Sequence, residues 1–295
     1  MSARSASLTR RTLVLGAAAT AGLAATGVRA AFGEEARPAP TRMPTCFVGH
    51  GSPMLALDAT KGAELTRLLA AMPTPKAILV VSAHYERSPV TLGATTTRPL
   101  IYDFRGFPRA LHQVRYPAPG APALARRVTT LLSPLGSVRS DPRRGLDHGA
   151  WVPLRWMAPK ADVPVLPVSL PTHDPKTLWR LARALAPLRD EGVLILGSGN
   201  VTHNLRRLDG RRGAPTPSWA AEFDAWAETT LKGHAYDALL DWERKAPAAR
   251  TNHPTVEHFV PLLIAAGASQ RSDRVSFPIT GFEAGSLSRR CVVFG

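Results

Sequence analysis

Thr45-Cys46-Phe47-Val48-Gly49-His50-Gly51-Ser52-Pro53 is a short apolar run, stopped by a glycine and followed at once by a histidine. Four residues are too few for a helix, and the composition suits a buried strand. The same form recurs along the chain: Ala77 to Ser82, Val163 to Leu170, Val193 to Leu196 and Cys291 to Phe294 have the length and β-branched content of buried strands. Between them, Asp58 to Met72, Ala121 to Leu135, Asp174 to Asp190, Ser218 to Lys232 and Val256 to Ala266 place apolar residues three and four apart, the helical interval. Asp58, Asp174 and Ser218 stand where an N-cap is needed. Strands alternating with helices predict a single-domain α/β sandwich, with a central mixed or mostly parallel sheet flanked by helices. No internal repeat or interdomain linker interrupts the pattern. In such folds the loops leaving the strands' carboxyl ends gather at one rim, where ligands bind.

Several of the nine histidines fall at that rim. His50 follows the first strand and His84 the second, in Val81-Ser82-Ala83-His84-Tyr85-Glu86. His203 follows Val193 to Leu196 through Gly197-Ser198-Gly199-Asn200-Val201-Thr202, and His258, in His253-Pro254-Thr255-Val256-Glu257-His258-Phe259, is expected in the first turn of an apolar helix. A fifth, His148, lies in Gly145-Leu146-Asp147-His148-Gly149. Neutral imidazole binds zinc and iron, and a mononuclear site needs three or four ligands converging from separate loops. One strand-end histidine is ordinarily a hydrogen-bonded structural residue; three of them and one at a helix start point to a shared metal. His112, His173 and His234 read as solvated. The Gly197-Ser198-Gly199 turn lacks both the GxxxxGK[ST] of a phosphate loop and the GxSxG elbow of a serine hydrolase, and is read as a tight turn that delivers His203.

Composition narrows the class. The chain has 295 residues, 44% hydrophobic, with 37 basic against 22 acidic side chains and a formal charge of +15. Disorder, collagen and disulfide-scaffold classes are excluded. The excess is nearly all arginine, scattered in pairs such as Arg126-Arg127 and Arg206-Arg207, without interleaved aromatics to stack bases. A solvated basic surface is the reading, with no nucleic-acid partner.

Arg10-Arg11 stands directly before an apolar run from Leu13 to Ala25, with small residues up to Val28-Arg29-Ala30. This predicts a twin-arginine export signal over 1–30, a flexible leader over 31–42 and a catalytic domain over 43–295. The run is shorter than the roughly 20 residues that span a bilayer, so no stable membrane anchor is expected. Cleavage near Ala30 removes four arginines and no acidic residue, which lowers +15 to +11. The protein is expected in the periplasm or outside the cell, having crossed folded, a route compatible with a metal already inserted. There Cys46 and Cys291 are free to form a disulfide, although each sits in a strand-like run where a buried thiol is at home.

At its histidine segments the sequence resembles the class III, protocatechuate-type, extradiol ring-cleavage dioxygenases, and their DOPA-dioxygenase branch in particular. The resemblance rests on Gly49-His50-Gly51-Ser52-Pro53-Met54, Val80-Val81-Ser82-Ala83-His84, Tyr102-Asp103-Phe104 with Gly106-Phe107-Pro108, and Tyr116-Pro117-Ala118-Pro119-Gly120. It continues in order through Asp147-His148-Gly149, Gly199-Asn200-Val201 with His203-Asn204-Leu205, Pro254-Thr255 with Glu257-His258, and Gly285-Ser286-Leu287-Ser288. It implies a non-haem Fe(II) site, or zinc in the isolated protein, that cleaves a catechol ring beside its hydroxyls with O2 to a ring-opened semialdehyde. By resemblance His50, His84 and His258 match metal positions. His203 matches a histidine placed on the metal or beside it as acid/base, and His148 one near substrate and oxygen. Many extradiol enzymes use two histidines and a carboxylate; here His258 takes the third position and Glu257 orients a ligand or caps the helix. An export signal is a further departure from that branch. A zinc hydrolase built on the same histidines, and a non-catalytic metal- or catechol-binding protein, are the competing readings.

Overall fold

The computed structural model describes residues 42–211 and 213–295. The export signal expected over 1–30 lies outside the described residues, as does the leader except for Arg42, whose guanidinium pairs with Asp190 (Nε to Oδ1 2.6 Å).

Six strands form the central sheet: β1 (Thr45–Gly49), β2 (Ala77–Ser82), β3 (Val165–Pro167), β4 (Val193–Gly199), β5 (Val275–Ile279) and β6 (Cys291–Phe294). Their spatial order is β3-β2-β4-β1-β6-β5. The first four are parallel, while β6 runs antiparallel to β1 and to β5, so the sheet is mixed. The four expected runs at 45, 77, 193 and 291 are strands. The expected strand from Val163 to Leu170 contracts to three residues, because Pro164 and Pro167 offer the ladder no N–H, and it occupies an edge where that is tolerated. At the other edge lies β5, which the sequence reading did not anticipate; it carries Pro278.

Strand alternation deals side chains to two cores. Phe47, Leu79, Val81 and Ile195 face one side, packed with α2 (Pro122–Leu132), α4 (Pro175–Leu185), α5 (Ser218–Lys232) and α6 (Pro261–Gly267). Cys46, Val48, Ile78, Val80, Leu194 and Leu196 face the other, covered by α1 (Ala59–Ala70) and α3 (His148–Met157). Asp58 and Asp174 cap α1 and α4 through the Lys61 and Thr177 amides. Ser218 does not cap α5: it is the first helical residue, Pro217 holds the cap position, and no side chain accepts there.

Cys46 and Cys291 are both free and buried. Cys46 stands opposite Val293, so the two cysteines are diagonal neighbours on adjacent antiparallel strands. Such pairs lie about 7–8 Å apart, beyond comfortable disulfide reach. Burial pushes the Cys291 thiol up to about 12. Among the described residues no helix is long and apolar enough to cross a membrane.

Candidate metal centre

Strand ends deliver the histidines as the alternation predicted. The His50 amide extends the β1–β4 ladder by donating to Gly199 O, and Ala83 N donates to Ser198 O, so His50 and His84 leave the two strands that flank β4 at one level. His258 reaches the same rim differently. A Cβ on Gly199 would stand 2.1 Å from His258 O, and Asn200 N donates to that carbonyl at 2.8 Å, so the segment before α6 lies directly on bare glycine backbone. His258 is therefore not in a helical turn as expected: residues 254–260 are bends and turns, and α6 begins with Pro261 as its first residue. Nor does Glu257 cap the helix: Val260 holds the cap position, and no side chain accepts there. Glu257 Oε1 accepts from His258 Nδ1 at 2.8 Å.

His84 Nε2 lies 3.3 Å from His50 Nε2 and 3.3 Å from His258 Nε2. Each ring has an oxygen at its far nitrogen. His50 Nδ1 is 2.9 Å from Ser198 Oγ, His258 Nδ1 meets Glu257, and His84 Nδ1 is 3.4 Å from Asp103 Oδ2. The Ser198 hydroxyl donates to Gly149 O, which leaves its lone pair for His50 Nδ1–H. That carbonyl is free because the residue one turn on in α3 is Pro153, which has no N–H to give it. The Nδ1–H tautomer so fixed directs the His50 Nε2 lone pair at its neighbours. Oxygen partners at the far nitrogen are the usual support of a metal-binding imidazole.

Burial keeps the group neutral. It lowers His50 and His258 well below the ordinary imidazole value, with the surrounding imidazoles adding to the effect, and brings His84 and His203 down to about 4. Neutral imidazole is the ligand form.

His148 opens α3, whose N-terminus Asp147 caps by accepting from Ala150 N. Its Nδ1 lies 2.9 Å from Asp103 Oδ1 and its ring is 4.0 Å, centroid to centroid, from that of His84. His203 stacks on His258 with 7° between planes and 3.5 Å between centroids. Two sets therefore offer nitrogens or oxygens within 4.8 Å of one another: His50, His84 and His148, and His203, Glu257 and His258. All five expected histidines are brought together. Of the three read as solvated, His112 is exposed although its ring lies against Tyr102 and Phe104, His173 is exposed and pairs with Glu86, and His234 is half-buried with Nδ1 2.8 Å from Tyr236 Oη.

Sequence reasoning missed Asp103, Ser198 and His253. Asp103 sits in a loop far along the chain from its partners, and Ser198 was read only as part of a turn. His253 is fully inside, its Nε2 donating to Val201 O at 2.7 Å. A cavity of about 480 Å³ opens beside the centre, lined by His84, His258, Glu86, Arg87, Asp141 and Arg144 among others.

Residues 47–288 match the family model described as the catalytic LigB subunit of aromatic ring-opening dioxygenase. The chain is 43% identical over 251 residues to the 4,5-DOPA dioxygenase extradiol of Beta vulgaris, covering 83% of this chain and 93% of that one. It is 39% identical over 263 residues to the protein of the same name in Escherichia coli K12, covering 86% and 96%. The crystal structure of an uncharacterised Escherichia coli K12 protein superposes with a TM-score of 0.74 at 34% identity, over 86% of this chain and all of that one. The chain belongs to the LigB family of aromatic ring-opening dioxygenases, metal-dependent enzymes, and is an extradiol ring-cleaving dioxygenase of catechols.

Proposed function

We propose that the enzyme holds Fe(II) through Nε2 of His50, His84 and His258 and cleaves DOPA or a closely related catechol with O2, beside its hydroxyls, to a ring-opened semialdehyde. The observation that carries this is that His84 Nε2 lies 3.3 Å from both His50 Nε2 and His258 Nε2, each of the three on a ring whose Nδ1 faces an oxygen. Nitrogens at that spacing suit one ion bound at about 2.0–2.2 Å. Zinc fits the same donors, so oxygen dependence separates the two metals. When bound, ferrous iron acidifies the catechol hydroxyl and brings ring and O2 together.

His203 serves as the base. An imidazole lone pair lies in the ring plane, and planes only 7° from parallel at 3.5 Å spacing do not aim at a common point, so His203 is left out of the ion's ligands that include His258. Neutral and beside the centre, it takes the proton of the second hydroxyl. His148, with Nδ1–H given to Asp103, presents a bare Nε2, which can accept a proton from the substrate side and only then return it to the product. The cavity's mixed charges, Arg87 and Arg144 with Glu86 and Asp141, suit a zwitterionic side chain on the catechol, and this, with the names of the relatives, supports a DOPA-like substrate.

Apoprotein loaded anaerobically with Fe(II) or Zn(II) and then given a panel of catechols under oxygen tests the reading. Oxygen uptake and a yellow ring-opened product with iron are expected. Turnover with zinc in the absence of oxygen would favour the hydrolase, and no uptake with any catechol would overturn the proposal.

The site of action is outside the cytoplasm on the strength of Arg10-Arg11 and the apolar run from Leu13 to Ala25. N-terminal sequencing of the exported protein is expected to begin near Ala31; a chain retained whole in the cytoplasm would overturn this.

A further inference from the structure

We propose that Asp103 is a positioning residue that fixes two histidines at once, the ligand His84 and the proton-transfer residue His148, through the two oxygens of one carboxylate. The inference rests on the assignment of those two histidines given above and adds a residue to which no role has been attached.

The geometry is two-sided. Oδ1 lies 3.0 Å from the His148 amide, which donates to it, and 2.9 Å from His148 Nδ1. Oδ2 lies 3.4 Å from His84 Nδ1. His148 Nδ1 donates to the carboxylate, so its proton is fixed on Nδ1 and Nε2 is kept for the reaction side, while His84 turns the same ring nitrogen toward the other oxygen, within electrostatic reach at 3.4 Å. The rings are 4.0 Å apart between centroids, so the carboxylate sets their mutual placement as well as the His148 tautomer.

The loop that carries Asp103 is braced on each side. Ile101 N donates to Leu146 O at 2.8 Å, and Trp151 Nε1 donates to Ile101 O at 3.1 Å. Tyr102 Oη donates to Val114 O at 2.7 Å. Phe104 stands edge-on to His148 at 5.7 Å and packs on Phe107 at 5.4 Å. The carboxylate is therefore held from its own backbone, which is what a positioning role requires. Its side chain remains 24% exposed, so substitution leaves no sealed cavity and the fold survives.

Asparagine separates this role from mere packing. It keeps the shape but has one acceptor atom and one donor group, so it can satisfy the Nδ1–H of one imidazole only and drives the other toward the wrong tautomer. Glutamate keeps two acceptors at a different reach.

The test is Co(II) binding, followed by visible absorption, to metal-free wild type, Asp103→Asn, Asp103→Ala and Asp103→Glu, with kcat and KM of the Fe(II) forms and thermal melting in parallel. Expected for Asp103→Asn are an altered Co(II) spectrum, a Kd raised about 10- to 100-fold and a kcat lowered about 100-fold, with KM and melting close to wild type. Asp103→Ala should match or exceed those losses, and Asp103→Glu should regain part of both. If wild type takes up no Co(II), the metal centre itself is misassigned and the inference falls with it. If wild type binds and Asp103→Asn shares its spectrum, Kd and kcat, the metal centre stands and the positioning role is overturned. A loss confined to melting, with spectrum and kcat unchanged in the folded fraction, overturns it too.

Discussion

Pro153 stands one helical turn beyond Gly149 in α3 and leaves that carbonyl without an intrahelical donor, and the Ser198 hydroxyl takes the vacant position. A helix defect thereby orders a hydrogen bond at the ends of the two central strands, from His50 Nδ1–H to Ser198. Ser198→Ala removes the acceptor and is expected to weaken metal binding about 10-fold or more. Pro153→Ala supplies a competing N–H to Gly149 O; it should weaken binding in the same direction while leaving the melting temperature unchanged or raised, since proline is the poorest helix former. Competition against a chelator of known affinity measures both. Wild-type affinity in Ser198→Ala would show that the tautomer is set elsewhere.

Metal content tests the proposed division of the stacked pair into a ligand, His258, and a base, His203. His258→Ala is expected to lose the metal, seen by elemental analysis after desalting. His203→Ala should retain it while kcat falls about 100- to 10,000-fold, the usual worth of a positioned acid or base. Loss of metal from His203→Ala would return it to the ligand set.

The fold was legible where one physical signal dominated. β1, β2, β4 and β6 are apolar runs that match buried strands, and two aspartates marked α1 and α4 because a carboxylate at the cap answers free amides. Helix α3 was missed since Gly149 and Pro153 argue against a helix, although Asp147 was available as its cap. The start of α6 was misplaced because apolar periodicity runs through Val256 and Phe259, whereas the backbone there is turned by its contacts with Gly197 and Gly199. In the site, histidines following strands announced themselves by position. Asp103 and Ser198 did not, because what matters in them is a contact made across 45 and 148 residues of chain, which spacing does not encode.

Acid stability should carry the mark of His253. Its Nε2–H is given to Val201 O, while Nδ1 is buried with no hydrogen-bond partner among the described residues. Burial lowers its pKa from the ordinary 6.5 to about 4. A depressed imidazole stabilises the fold above the unfolded value, and the stability drains as pH falls from 6.5 toward 4, where the unfolded chain is protonated and the native one is not. The span corresponds to about 3 kcal/mol at most. Urea unfolding of the metal-free protein between pH 7 and 4 measures it, and His253→Gln should flatten that limb. An unchanged slope in the variant would assign acid sensitivity to the histidine cluster alone.

Two glycines at the rim should fail in different ways when replaced by alanine. At Gly199 the added Cβ meets backbone, 2.1 Å from His258 O and 3.0 Å from its carbonyl carbon, and the segment entering α6 must lift from the sheet. Gly199→Ala is therefore expected to lose about 3 kcal/mol or more of stability, at the upper end of overpacking costs. At Gly149 the Cβ meets side chains: Ser82 Oγ at 2.5 Å, His84 Cδ2 at 2.9 Å and His50 Cε1 at 3.1 Å. Side chains yield more readily than backbone, so Gly149→Ala should cost about 1–2 kcal/mol. The displacement falls on the two rings whose Nε2 atoms lie 3.3 Å apart, so its main effect is on metal binding, lowered at least 10-fold. Thermal melting and Co(II) titration on the two variants separate these outcomes; a Gly149→Ala protein that binds metal as wild type does would mean that His50 and His84 do not have to hold their present separation.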